Sequence, residues 1–343
     1  MEKLLFLAHT EADGALSKNT LEALTVAQDI SKALGVGFDI GLIGADVTAA
    51  AESIGSAGAG VCYAVSGPEF AQARYASDAA AAQAICTAAG ASIVLAAATS
   101  RFSRALPGVA QRLGGGIDTQ VSALAVDAGA VVATRWFYRQ RMSGVVTRTQ
   151  RPWLLTLAPG CAPAYAGAAA PMTVQALNVE LPATARRTTV LEIKSPSADR
   201  QTIRPDAALL FVAGAGWTKK QADGAAHADT AESLILDFLT KAGASLGSSK
   251  SLVDQGGEGQ AVLTFLTHLH QVGQTGSTPR HPKGLATCCH GEEPHVVGWR
   301  FIGERRAVNL DANCGWAQGK ADVLYVADAF AVMAKVNELL GKS

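Results

Sequence analysis

Short apolar runs alternate with longer segments of helical periodicity over the first third of the chain. Residues 3–8 predict a strand buried on both faces, since a brief continuous apolar run fits that environment. Leu21, Leu24, Ile30 and Leu34 then recur near helical spacing. Asn19 and Glu22 stand three apart, as in a capping box, and Gly35 follows as a stop. Further strands are predicted at 38–43, 61–65 and 92–97, and helices at 47–56, 69–89 and 105–113. This alternation implies a parallel sheet covered by helices on both faces.

The rhythm changes after residue 113. Strand patterns at 119–126, 130–137, 144–149 and 153–157 follow one another with short turns, which predicts antiparallel pairing. Residues 158–170 are rich in Ala, Pro and Gly, and short strands are predicted at 174–181 and 190–193. Residues 194–205, with Ser195, Pro196 and Ser197, read as a linker. A second alternation begins with a strand at 207–213 that runs into Gly214, Ala215 and Gly216. A helix is predicted at 228–242, a polar turn region at 247–256 and a helix start near Gly291. Strands at 284–289, 306–310 and 322–326 and a helix at 328–340 complete the pattern. The expected fold is α/β, with domains 1–193 and 206–343 joined by 194–205. Each domain carries a mainly parallel sheet flanked by helices.

Composition narrows the function. A length of 343 residues suits two domains. The 29 basic and 29 acidic residues balance, which argues against a nucleic-acid partner. Apolar residues make up 49% and charged residues 17%, so part of the surface is expected to lie under a permanent partner. Cys62, Cys86, Cys161, Cys288, Cys289 and Cys314 form no C-x-x-C spacing and read as reduced thiols of a cytoplasmic protein. The opening apolar run is too short for a signal peptide, and residues 91–98 are far short of a membrane span. His268 and His270 would share a face if extended. Two histidines are too few for a metal site, and none is expected. The basic and aromatic stretch from Arg135 to Trp153, with Arg139, Arg141, Arg148 and Arg151, reads either as a solvated strand face or as a surface for a partner subunit.

The chemistry concentrates near Gln271-Val272-Gly273-Gln274-Thr275-Gly276. Two glycines let the backbone approach a ligand closely. The Gln274 amide and Thr275 hydroxyl each carry donor and acceptor groups, which suits a flat heterocycle with nitrogens and carbonyls on its rim. The other reading is a polar turn. Gly214, the pair His290 and Gly291, Asn309 and Asp328 all fall at predicted carboxyl ends of strands, where open α/β sheets bind ligands.

The order Gly-x-Gly after a strand, then Gly247 to Asp254, then Gln271 to Gly276, resembles the alpha subunit of electron transfer flavoproteins. His290, Gly291, His295, Asn309 and Asp328 continue that order. Ala97 to Ser100, with Leu106, Pro107 and Val109 to Leu113, is similar to the family's N-terminal half. The resemblance implies a FAD-binding, doubly wound second domain and a first domain that contacts a beta subunit. It implies an electron carrier, rather than an enzyme with its own substrate, that serves one or more flavin dehydrogenases and a downstream acceptor. Carried over residue by residue, Ser249 and Lys250 match a flavin-contacting Ser-Arg pair. Val272, Gly273, Gln274 and Thr275 match the loop at the ring's reactive edge. His290, Gly291, Glu292, Glu293, Pro294 and His295 match a helix start by the pyrophosphate and ring, with His295 beside the flavin C2 carbonyl. Asn309 and Asp328 match contacts to the adenosine half; Asp328 equally suits a helix N-cap. Ala215 stands where the family usually has arginine, and Lys250 replaces arginine. The stretch 257–270 is longer than the family's. These departures keep a second reading open: a relay or structural subunit locked in a multi-subunit flavin oxidoreductase, such as an amine demethylase.

Overall fold

The computed structural model describes residues 2–138, 142–191, 203–204, 207–254, 261–273, 276–277, 279–289, 299, 302–314 and 321–342. The chain divides into two compact units, Met1–Ile193 and Lys194–Ser343.

The first unit is built on a nine-stranded sheet. Strands β1 (Leu4–His9), β2 (Phe38–Gly44), β3 (Cys62–Ser66) and β4 (Ile93–Ala97) are parallel. Leu4, Phe6 and Ala8 enter one core cluster and Leu5 and Leu7 the other, so alternate side chains feed both faces. Helix α1 (Lys18–Leu34) is capped two residues before the expected position. Ser17, not Asn19, accepts from the Thr20 amide. Glu22 is buried and accepts from the Gly160 amide at 2.6 Å, so it forms no capping box. Gly35 ends the helix at φ 65°, as its position predicted.

Helix α2 is short (Thr48–Ser53). The helix expected over 69–89 is two pieces, a 3-10 turn at Pro68–Phe70 and α3 (Tyr75–Ala89). Helix α4 (Ser100–Arg112) begins five residues earlier than its apolar pattern indicated, because Thr99 caps it by accepting from the Phe102 amide. Strands β5 (Gly116–Asp127), β6 (Ala130–Phe137) and β7 (Met142–Val146) are antiparallel as expected. Strand β8 (Trp153–Leu157) is not: it lies parallel between β4 and β5. All five of its residues are buried, which fits a strand covered on both faces. Strand β9 is only Val174–Ala176 and pairs with β3. Residues 188–191 form no strand, and 192–193 lie outside the described residues. So does most of the proposed linker.

The second unit holds five parallel strands: β10 (Leu209–Ala213), β11 (Ser245–Ser248), β12 (His281–Thr287), β13 (Ile302–Asn309) and β14 (Val323–Val326). Their spatial order is β11-β10-β12-β13-β14, a doubly wound 2-1-3-4-5 arrangement. Helices α5 (Ala228–Ala242), α6 (Lys250–Asp254) and α7 (Ala329–Leu340) belong to this unit. Phe211 and Ala213 pack with Ile235, Phe238 and Met333 on one face, while Leu210 and Val212 pack with Val272, Trp299 and Ile302 on the other. The polar turn expected over 247–256 instead contains the end of β11 and all of α6. The helix start expected near Gly291 lies outside the described residues.

Candidate functional site

The strand order of the second unit reverses between β10 and β12. A crevice beyond the carboxyl ends of those strands is where such a sheet takes ligands. Backbone hydrogen bonds fix its floor. The Gly214 amide donates to the Thr287 carbonyl at 2.8 Å, and the Gly216 amide to the Cys288 carbonyl at 2.8 Å. Cys288 takes a left-handed conformation, φ 55°, and its amide donates to Val308 at 3.1 Å. A Cβ on Gly214 would stand 2.5 Å from the Cys288 carbonyl oxygen, so only glycine fits. Ala215 is buried in the 3-10 turn Ala215–Trp217. Trp217 is fully buried, donates from its indole N–H to Thr287 Oγ1 at 2.9 Å, and packs on Phe330.

Strand β11 brings Ser248, Ser249 and Lys250 to the same edge. The Ser249 amide donates to Ala213, and its buried hydroxyl accepts from the Leu252 amide at 3.2 Å. Lys250 is exposed and pairs with Asp254 one turn along α6. The other carboxylate oxygen of Asp254 accepts from His268 Nε2 at 2.9 Å. Lys250 and then His268 hold the Asp254 carboxyl below the usual carboxylate range.

The loop expected to face a heterocycle docks on β11. The Val272 amide donates to the Ser248 carbonyl at 2.9 Å, while the Val272 side chain is wholly buried in the core. Gly273 has φ 145°, a conformation few side chains tolerate. A Cβ on Gly276 would meet the Gln271 carbonyl oxygen at 2.2 Å. The Gly273 amide donates to Ser277 and the Ser277 amide to Gln271, which closes a tight turn. Gln274 and Thr275 lie outside the described residues, as do His290, Gly291, Glu292, Glu293, Pro294 and His295.

Asn309 ends β13. It is buried, and its Oδ1 has no hydrogen-bond partner among the described residues. The hydroxyl of Ser248 is buried and equally unpartnered there. Nothing in the sequence drew attention to it, because a serine at a strand end is ordinary. Asp328 is exposed and accepts from the Phe330 amide at 2.9 Å, as the N-cap of α7. Ser249, Lys250, Val272, Gly273, Asn309 and Asp328 thus share the carboxyl edge of one sheet.

Other sequence expectations change. His268 and His270 lie in a 3-10 turn, not on a strand; His268 faces Asp254, while buried His270 accepts from the Thr267 amide at 3.1 Å. Among the described residues no cluster of three metal-ligating side chains occurs. Arginines of the basic and aromatic stretch pair with acids elsewhere in the first unit. Arg135 and Arg148 both contact buried Asp118, and Arg151 donates to Glu2 at 3.0 Å. Burial would raise the Asp118 pKa, but the bonds from Arg148, Trp153 and Arg135 outweigh it and lower it. Arg139 and Arg141 lie outside the described residues. At the end of β1, buried His9 shares a 2.9 Å hydrogen bond with Thr99; burial first and Arg101 second push its pKa down to about 4. Sequence inspection missed it, since a lone histidine after an apolar run carries no signal.

No helix among the described residues is long and apolar enough to cross a membrane. No curated protein matches the chain. The family model of the electron transfer flavoprotein domain matches residues 4–183, which lie in the first unit and make up more than half of the sequence. The chain belongs to the electron transfer flavoprotein family.

Proposed function

We propose that the chain is an alpha-type subunit that pairs with a beta subunit and holds FAD on its second unit. In this reading it accepts electrons from one or more flavin dehydrogenases and passes them to a downstream acceptor. The observation that supports the proposal is the doubly wound sheet with Ser249, Lys250, Val272, Gly273, Asn309 and Asp328, the predicted contacts among the described residues, at its carboxyl edge. Chemistry of the edge supports a ligand rich in donors and acceptors. Asn309 Oδ1 and Ser248 Oγ are buried oxygens without partners among the described residues. A buried polar atom left unpaired costs about 1–3 kcal/mol, so ligand N–H or O–H groups donating to them would recover that loss.

Asn309 and Asp328 would hold the adenosine half, with Asn309 accepting and the exposed edge of Asp328 facing a ribose. Ser249 and Lys250 would flank the ring, with Lys250 supplying positive charge. Val272 anchors the 271–277 turn through its buried side chain and leaves the main chain of Gly273 to approach the ring edge. Gln274, Thr275 and the run His290, Gly291, Glu292, Glu293, Pro294 and His295 would complete the site. Bound FAD supplies the redox chemistry, and the protein's part is to bind, orient and tune it.

The test is purification of the native complex and its visible spectrum. Non-covalent FAD, released by denaturation in a one-to-one ratio with the chain, is the expected result. A colourless, correctly folded complex that takes up no added FAD refutes the proposal. A second reading, a subunit locked in a larger flavin oxidoreductase, draws on buried Ala215 where arginine is usual and on the contact between His268 and Asp254. Native mass separates the two: a free carrier is a heterodimer, and a locked subunit is not.

A further inference from the structure

Helix α6 carries its charges against its own dipole. Lys250 is its first residue and Asp254 its last, whereas a helix favours acid at the start and base at the end. The pair also runs base to acid along i,i+4, the weaker of the two orders. Helix stability therefore does not account for the arrangement. The Asp254 carboxylate is shared: one oxygen takes the Lys250 ammonium and the other the His268 ring N–H. His268 belongs to the lengthened stretch before the Gln271 turn, so the shared carboxylate fastens the His268–His270 turn to α6. Among the described residues, the Ala215–Trp217 and His268–His270 turns pack on α6. The first has no titratable side chain. The second offers His268 and the buried His270, which bonds to Thr267 instead.

We infer that Asp254 is a positioning residue that sets the charge Lys250 brings to the sheet edge. A lysine stem is flexible and its ammonium is a mobile point charge. Held by Asp254, Lys250 lies along α6 and its charge is offset in part by the carboxylate beside it. Released, the ammonium is free to swing toward negative charge at the edge. This inference rests on the FAD reading above. Asp254 touches no reacting atom and acts through Lys250.

The test uses the full chain in its native complex. Asp254→Asn is expected to favour the reduced over the oxidised flavin by about three- to tenfold, because the freed cation stabilises added negative charge. Tenfold corresponds to about 30 mV in a two-electron potential. In a Lys250→Met background the same substitution is expected to move the potential by less than half as much, and Asp254→Glu is expected to restore the wild-type value. An equal shift in both backgrounds means Asp254 acts by its own charge and overturns the inference; so does no shift in either at equal FAD content. A second arm needs no flavin. The Asp254 carboxyl carbon, followed by NMR, is expected to titrate at higher pH in Lys250→Met and in His268→Gln than in the wild type. Unchanged titration in both means the trio does not form, and overturns the inference. A chain that shows the pairing but takes up no FAD refutes the proposed function and this inference together. FAD uptake with unmoved potentials refutes this inference alone.

Discussion

Gly214→Ala probes the floor of the proposed site most directly. Its φ of −102° is open to alanine, so any cost is steric rather than conformational. The added methyl would stand 2.5 Å from the Cys288 oxygen, 2.7 Å from its carbonyl carbon and 2.6 Å from Cys289 Cα. All three are backbone atoms and no rotamer change relieves them. Ordinary contact needs about 3.5 Å, so the ends of β10 and β12 must part by about 1 Å. That stretches the two 2.8 Å bonds, Gly214 to Thr287 and Gly216 to Cys288, past useful length. Overpacking costs about 1–3 kcal/mol and each lost backbone bond about 1 kcal/mol. A total of about 3–5 kcal/mol follows. Hydrogen exchange read by mass spectrometry is the assay, since it reports the two units separately. Peptides covering β10 and β12 are expected to lose protection while those covering β1 and β4 keep theirs. Urea unfolding of the second unit is expected to shift down by about 1 M or more. FAD uptake is expected to fall with it. Unchanged protection at 209–217 and 281–289 would show that the close approach at Gly214 does not exist, and the argument for the crevice floor would fall.

Two further outcomes concern the first unit. Arg101 donates to buried Asp78 at 2.7 Å and to the Phe70 carbonyl at 2.7 Å, so Arg101→Ala strands a buried carboxylate. A loss of about 3–5 kcal/mol is expected in thermal unfolding, with much of it recovered in the Arg101→Ala, Asp78→Ala double variant; equal losses in single and double variants would refute the pairing. His9 gives a pH dependence whose sign is fixed: its folded pKa, about 4, lies below the unfolded value of about 6.5, so the unfolded chain binds more protons between them. Stability is then full above pH 6.5 and falls as pH drops toward 4, by up to about 3 kcal/mol at about 1.4 kcal/mol per unit. His9→Gln is expected to flatten that slope, and an identical slope in the variant would count against a buried neutral histidine.

The sequence disclosed the parts of this fold that hydrophobic burial determines. Strands β1, β2, β4 and β8 are covered on both faces, so their residues form nearly continuous apolar runs, broken by Asp39 in β2 and Thr156 in β8. The direction of β8 was not legible from that run. A buried run states that both faces are covered, and says nothing of its partner β4, which lies more than fifty residues earlier. Strand β11 was hidden for a different reason. Its sequence is Ser-Leu-Gly-Ser, yet all four residues are buried, because Gly247 receives Val272 and Leu210 against its bare Cα. Other chain segments supply the apolar surface, so no local pattern marks the strand.

The same division runs through the candidate site. Glycines at 273 and 276 were legible as places of close approach to a ligand, whereas the constraints in the structure are φ at Gly273 and the protein's own backbone at Gly276 and Gly214. The N-cap role of Asp328 was legible as one of two uses, because capping is a local rule. The bond between Asp254 and His268 joins residues fourteen apart through a turn whose path no periodicity encodes. Asn309 Oδ1, without a partner among the described residues, depends on burial by several elements at once. Topology explains why these residues meet at all. Hydrogen bonds link β11 to β10, β10 to β12 and β12 to β13 in parallel, so every strand delivers its next residue to the same edge. Gly214, Ser249, Cys288 and Asn309 at those ends are small or polar, and a hydrophobic pattern is silent there. An edge formed this way is specified by the strand order behind it, and the hydrophobic pattern constrains its side chains little. Ala215 and Lys250 lie at that edge, beside a floor that Gly214 leaves no room to change.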